Sequence, residues 1–289
     1  LEALEVYTTN ELNDVCQQIH DKQAEFEQTV RQAIESALSS VQSQWQQIRA
    51  NLEPYNDALD SLTQRVHNIE QGGVVSMPLR FEQLFDDKAS TYTYVIASGK
   101  GREALIIDPV IEHSNHYIKV LENLELKLVK VIDTHIHADH ITGLNELSQR
   151  TGCTKVMGEN SKSEVIDLKV KDEEIIKIEN IDLKVIYTPG HTDDSYCFIM
   201  NDRIFTGDTL LINGTGRTDF QNGSPHDAYH SLFDRVLSLP DETIVYPAHD
   251  YNQKRSSTIG GEKKNNPRLQ VNNADEYAEI MNNLNLANP

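Results

Sequence analysis

Seven side chains of metal-ligating type crowd into four short clusters along this chain, and no other feature restricts its fold as tightly. The clusters are His135-x-His137-x-Asp139-His140, Pro189-Gly190-His191, Thr206-Gly207-Asp208 and Pro247-Ala248-His249. Each follows an apolar run with strand character and contains or adjoins Gly, Ala or Pro. A lone buried histidine is usually a hydrogen-bonded core residue. Five histidines and two carboxylates grouped this way are instead the donor set of a metal centre. In an extended segment His135 and His137, two residues apart, project to one side, while the turn brings Asp139 and His140 in from another direction.

The runs leading to the clusters are short and rich in β-branched and aromatic residues. Residues 92–97 and 103–107 flank Gly99-Lys100-Gly101, a hairpin signal, and Asp108-Pro109 stops the second strand. A helix is expected over 116–126, and a buried strand over 129–133 delivers its end to the first cluster. Further strands fall at 175–178, 183–187, 196–200 and 203–205. A helix over 227–238 then precedes a last strand at 243–246. This mixture of hairpins and helices predicts an α/β fold of sheets covered by helices on their outer faces, not a doubly wound parallel sheet.

Residues 1–71 have a different texture, with no glycine and only Pro54 as a breaker. Apolar residues recur at helical spacing, and from Trp45 to Ile69 the steps alternate three and four, as in a coiled-coil seam or shallow helix packing. Pro54 should kink this rod or start a second helix, so a bent rod and a helical hairpin both stay open. The expected organisation is a helical association segment at 1–71, a linker at 72–78 and a catalytic domain at 79–289. The helical segment would serve a homo-oligomer or a protein partner.

Charge excludes one class of function. The chain carries 26 basic against 45 acidic residues, a formal net charge of −19. Residues 1–76 hold 4 and 12 of these, leaving 22 and 33 for the rest, so neither part offers the basic face that nucleic acid or an anionic membrane needs. Cys16, Cys153 and Cys197 are too scattered for a disulfide framework, which makes a reducing compartment the expectation. No run of about 18 apolar residues suggests a membrane span. The expected location is the cytoplasm, with the mitochondrial matrix as the alternative if a targeting peptide has been removed.

The H-x-H-x-D-H pattern at 135–140, with His191, Asp208 and His249, resembles the metallo-β-lactamase superfamily over residues 79–289. That resemblance implies an αββα sandwich. Two further stretches, Gly214-Thr215-Gly216-Arg217-Thr218-Asp219-Phe220-Gln221 and His249-Asp250-Tyr251, are similar to the persulfide dioxygenase family, as are Asn266-Pro267-Arg268-Leu269 and Asn283-Leu284-Asn285-Leu286. The resemblance implies oxidation of glutathione persulfide by O₂ to sulfite and glutathione, with one Fe(II) per chain. It also implies iron ligands at His135, His191 and Asp208, a two-histidine, one-carboxylate face that leaves positions for substrate and O₂. His137, Asp139, His140 and His249 would then orient ligands and bound water, or hold a second metal ion.

Two other readings are carried forward. One is a dinuclear zinc hydrolase of glutathione thioesters, glyoxalase II-like; against it, only 289 − 249 = 40 residues follow His249, too few for that enzyme's additional helical domain. The other is a helical scaffold or binding protein carrying a metallo-β-lactamase-like domain. For the anionic substrate, Arg217 is the expected partner, with a salt bridge to Asp219 as its competing role, and Tyr251 either hydrogen-bonds substrate or packs. Asn213 and Gln253 depart from the family pattern, where a basic residue and a glycine are common.

Overall fold

Strand β2 (Thr91–Ala97) is buried at every position, which a strand with one wet face cannot be. Tyr92, Tyr94 and Ile96 enter one apolar cluster, and Val95 and Ala97 enter another. The two-residue period thus divides a single run between two cores. The computed structural model describes residues 14–15, 17–18, 20–45, 79–99, 101–251 and 254–284.

The chain divides into two units, Leu1–Val75 and Ser76–Pro289. In the second unit, the first sheet runs in the order β1 (Arg80–Asp86), β2, β3 (Glu103–Ile107), β4 (Lys127–Ile132), β5 (Thr154–Gly158) and β6 (Leu168–Val170). Its first two pairings are antiparallel and the rest parallel. The second sheet runs from β12 (Ser257–Thr258) through β11 (Ile244–Pro247), β10 (Arg203–Gly207), β9 (Tyr196–Ile199) and β8 (Ile181–Tyr187) to β7 (Ile175–Ile178). Within it only β10 and β11 are parallel. Tyr94, Leu105 and Ile132 from one sheet meet Val185, Phe198 and Phe205 from the other, so the sheets face each other across the central core.

Helices cover both outer faces. Tyr117 and Leu121 of α2 (Ser114–Asn123) and Leu144 and Leu147 of α3 (Leu144–Thr151) pack on the first sheet, four and three residues apart as helical spacing requires. Ala228 of α4 (Pro225–His230), Leu232 and Val236 of the π-type turn that continues it, Ile259 of α5 (Ile259–Asn265), and Tyr277 and Met281 of α6 (Ala274–Asn282) cover the second. Each fully buried aliphatic or aromatic side chain here contributes about 1.5–3 kcal/mol. This is the αββα sandwich expected above. Strands β1, β5, β6 and β12 and helices α3, α5 and α6 had no individual sequence expectation, because their runs are short or mix polar with apolar residues.

In the first unit, residues 20–45 form helix α1, whose side chains face solvent, among them Phe26 (69% exposed) and Trp45 (67%). The expected seam beyond Trp45, the kink at Pro54 and the linker at 72–78 lie outside the described residues, as do Cys16, Lys100, Asn252 and Gln253. Cys153 and Cys197 are buried free thiols. No helix among the described residues is long and apolar enough to cross a membrane.

Candidate metal centre

The first ligand cluster is built by the ends of two parallel strands. Just past β3, Asp108 adopts a left-handed backbone, φ 51°, which aspartate tolerates better than most residues. Its carboxylate receives the Thr134 N–H at 2.7 Å and the Thr134 hydroxyl at 3.0 Å, just past β4. Because that hydroxyl spends its one proton on Asp108, it can only accept from His135 Nδ1, 2.9 Å away. The tautomer of His135 is thereby set, with the Nε2 lone pair free. Burial, with the neighbouring His137 and His191, depresses the His135 pKa well below its ordinary value, so the ring is neutral, as a ligand must be.

Pro189-Gly190 brings in His191, whose Nδ1 donates to the Arg217 carbonyl at 2.7 Å, which turns Nε2 toward Asp208 Oδ2, 3.4 Å away. Asp208 follows β10 through a bulge at Gly207, whose φ is 51° and where a Cβ would sit 2.6 Å from the Thr134 hydroxyl oxygen. The ligand atoms of His135, His191 and Asp208 lie within 4.8 Å of one another. Gly216 is required for a second reason. Its N–H donates to the Asp208 carbonyl at 2.7 Å, and a Cβ there would lie 2.2 Å from that oxygen and 2.8 Å from His191 Nδ1.

His137, Asp139 and His140 form a second group of the same kind. The His137 and His135 rings are 4.2 Å apart, on one side as expected, although the segment carrying them is irregular. His137 Nε2 engages Asp108 at 3.2 Å and His140 Nδ1 engages Asp139 at 2.8 Å. Their other nitrogens, His137 Nδ1 and His140 Nε2, are buried with no hydrogen-bond partner. Burial opposes charge on His137, but Asp108 outweighs it and raises the ring to about 9. His249 bridges the two groups, with Nδ1 2.6 Å from Asp208 and Nε2 3.0 Å from Asp139. Burial works against its protonation, yet the charge of Asp208 and the Asp139 hydrogen bond lift it well above the ordinary histidine value. Burial would raise Asp208, but the His249 charge keeps it well below the usual carboxylate range.

Asp139, His191, Asp208 and His249 line a cleft of about 440 Å³ together with Arg217, Phe220, Tyr251 and Arg268, whereas His137 and His140 face a separate cavity of about 230 Å³. Arg217 lines the larger cleft, but its guanidinium forms two bonds of 2.7 and 2.8 Å to Asp219, the competing role expected from sequence. The exposed Tyr251 ring stacks on His249, centroids 6.1 Å apart. Arg268 donates to the Thr215 carbonyl, and among the described residues no carboxylate lies within ion-pair distance of it. Asp108, Thr134 and Arg268 had no expected role. A signal existed for two of them: an Asp-Pro pair ending an apolar strand, and a single cation in Asn266-Pro267-Arg268-Leu269.

Residues 87–249 match the metallo-beta-lactamase superfamily. The chain is 39% identical over 224 residues to the mitochondrial persulfide dioxygenase ETHE1 of Mus musculus, covering 76% of this chain and 87% of the relative. It is 32% identical over 184 residues to a hydroxyacylglutathione hydrolase of Pelagibacter ubique, covering 62% and 75%. The crystal structure of ETHE1 from Myxococcus xanthus superposes with a TM-score of 0.71 at 44% identity, covering 73% of this chain and 93% of that one.

Proposed function

Because the chain belongs to the persulfide dioxygenase family of the metallo-beta-lactamase superfamily, we propose that it oxidises glutathione persulfide with one Fe(II) held by His135, His191 and Asp208. The observation that carries this reading is the converging trio, in which each histidine has a hydrogen-bonded Nδ1 that leaves Nε2 as its ligand atom. Two imidazoles and one carboxylate suit a ferrous ion and leave coordination positions over. When bound, the ion supplies the redox chemistry that lets O₂ react with the outer sulfur. In the net reaction the S–S bond breaks, that sulfur passes four electrons to O₂, and O₂ and one water provide the three oxygens of sulfite. The inner sulfur leaves as the thiol.

The chain's own residues hold and select. Thr134 and the Arg217 carbonyl fix the two histidine tautomers, and Asp108 anchors Thr134. His249 sets one ring nitrogen against Asp208 and the other against Asp139, and, with His140 on Asp139, these contacts favour the carboxylate form of both acids. Arg268 is assigned to a carboxylate of the glutathione carrier in preference to Arg217, since Asp219 already neutralises Arg217. Phe220 and Tyr251 supply apolar walls for the carrier.

A second reading, a zinc pair hydrolysing a glutathione thioester, draws on the unpartnered His137 and His140 nitrogens. It is the weaker, because the match to the hydrolase is lower in identity and coverage. Metal analysis and oxygen uptake on glutathione persulfide separate the two. One iron per chain with sulfite formed supports the dioxygenase; two zinc ions and thioester hydrolysis without oxygen uptake overturn it.

A further inference from the structure

Glu262 is 1% exposed, lies outside the metal clusters, and has no counter-ion within ion-pair distance among the described residues. Burying a carboxylate in this way is costly unless its hydrogen bonds hold something in place. One oxygen, Oε2, accepts both the Asn213 N–H at 2.9 Å and the Asn266 Nδ2 at 2.8 Å. Asn266, itself 0% exposed, donates a second time from Nδ2 to the Gly214 carbonyl at 2.9 Å, and its Oδ1 accepts the Arg268 N–H at 3.1 Å. A single acid and amide pair therefore ties two segments 49 residues apart.

Both segments form walls of the cleft. Asn213 turns the chain in a left-handed conformation, φ 57°, and Leu211 and Gly214 close the turn with reciprocal backbone bonds of 3.0 and 3.3 Å. From that turn Thr215 receives the Arg268 guanidinium, and Gly216 and Arg217 bond Asp208 and His191.

We propose that Glu262 is a positioning residue: through Asn266 it holds the Asn213–Arg217 loop and Arg268 in register, so that the guanidinium meets the carboxylate of the thiol carrier. This rests on the reading of Arg268 as the carrier's partner. Since both bonds end on one acceptor oxygen, glutamine can replace the acid with its carbonyl in the same place, whereas alanine removes both bonds.

The test compares full-length wild type, Glu262→Gln and Glu262→Ala. It measures glutathione binding by calorimetry and the KM for glutathione persulfide against that for a persulfide whose carrier lacks carboxylates. Glu262→Ala is expected to weaken glutathione binding and raise the KM for glutathione persulfide about tenfold, while the KM for the carboxylate-free carrier stays within about twofold. Glu262→Gln should restore wild-type values. Equal losses on both carriers, or wild-type behaviour of Glu262→Ala, overturn the proposal. If Glu262→Ala does not fold, Asn266→Ala, which removes the link to Gly214 and Arg268, carries the same expectation. A wild type that binds no glutathione instead removes the carrier reading on which the proposal stands.

Discussion

Replacing Arg268 by glutamine separates the two arginines of the cleft. The guanidinium of Arg268 sits in a partly buried wall with one neutral acceptor, the Thr215 carbonyl, so burial lowers its pKa and no carboxylate among the described residues offsets its charge. A charge-assisted bond from such a group to a substrate carboxylate is worth about 2 kcal/mol. At 1.36 kcal/mol per decade, its loss corresponds to an increase of about thirtyfold in KM for glutathione persulfide. Arg217 starts from a different state. Its charge is already matched by the half-exposed Asp219, so a further contact to a substrate carboxylate adds about 0–1 kcal/mol, as exposed ion pairs do, and Arg217→Gln should cost at most about fivefold. Initial-rate oxygen uptake against persulfide concentration reads both values. A persulfide without carboxylates is the control, because a general loosening of the Thr215 loop would raise its KM as well. An Arg217→Gln effect larger than that of Arg268→Gln, or equal losses on both substrates, would refute the assignment.

Two other outcomes are expected. Gly216→Ala introduces a methyl group 2.2 Å from the Asp208 carbonyl, where backbone cannot give way cheaply, so two assigned ligands should shift and iron affinity fall at least about tenfold. Iron retained per chain after dialysis against a weak chelator measures this, and full retention would count against the close approach. Asp86 accepts from the Ala89 N–H and the His113 ring, both at 2.7 Å; burial pushes its carboxyl up, but these bonds bring it below the ordinary 3.8. A depressed folded value means stabilisation present above pH about 4 and lost as pH falls through that value. Denaturant melts should show Asp86→Asn less stable by about 1–2 kcal/mol at pH 7, with the gap shrinking toward pH 3; a constant gap would exclude the linkage.

The ligand clusters were legible because metal chemistry demands specific residue types, and those types survive in sequence whatever surrounds them. Strand runs such as 92–97 were legible for a similar reason: a strand buried on both faces has no room for charged residues. Helix α6 and strand β1 were not, since their mixed runs are amphipathic only relative to neighbours that the sequence does not locate. Arg217 shows the limit most clearly. Its motif marked it as a cation near the site, but whether that charge was available depended on where Asp219 would lie.

By itself, then, the sequence determined the donor inventory and a fold of sheets covered by helices, both properties of residue type and period, while the αββα class came from the family resemblance. Only the tertiary structure decided which histidine nitrogens are left as ligand atoms, because a tautomer is set by what the other nitrogen touches, here Thr134 and the Arg217 carbonyl. It likewise decided which arginine keeps an available charge, through the rotamers that join Arg217 to Asp219 two residues on, and why Glu262 is buried, through bonds to a segment 49 residues away.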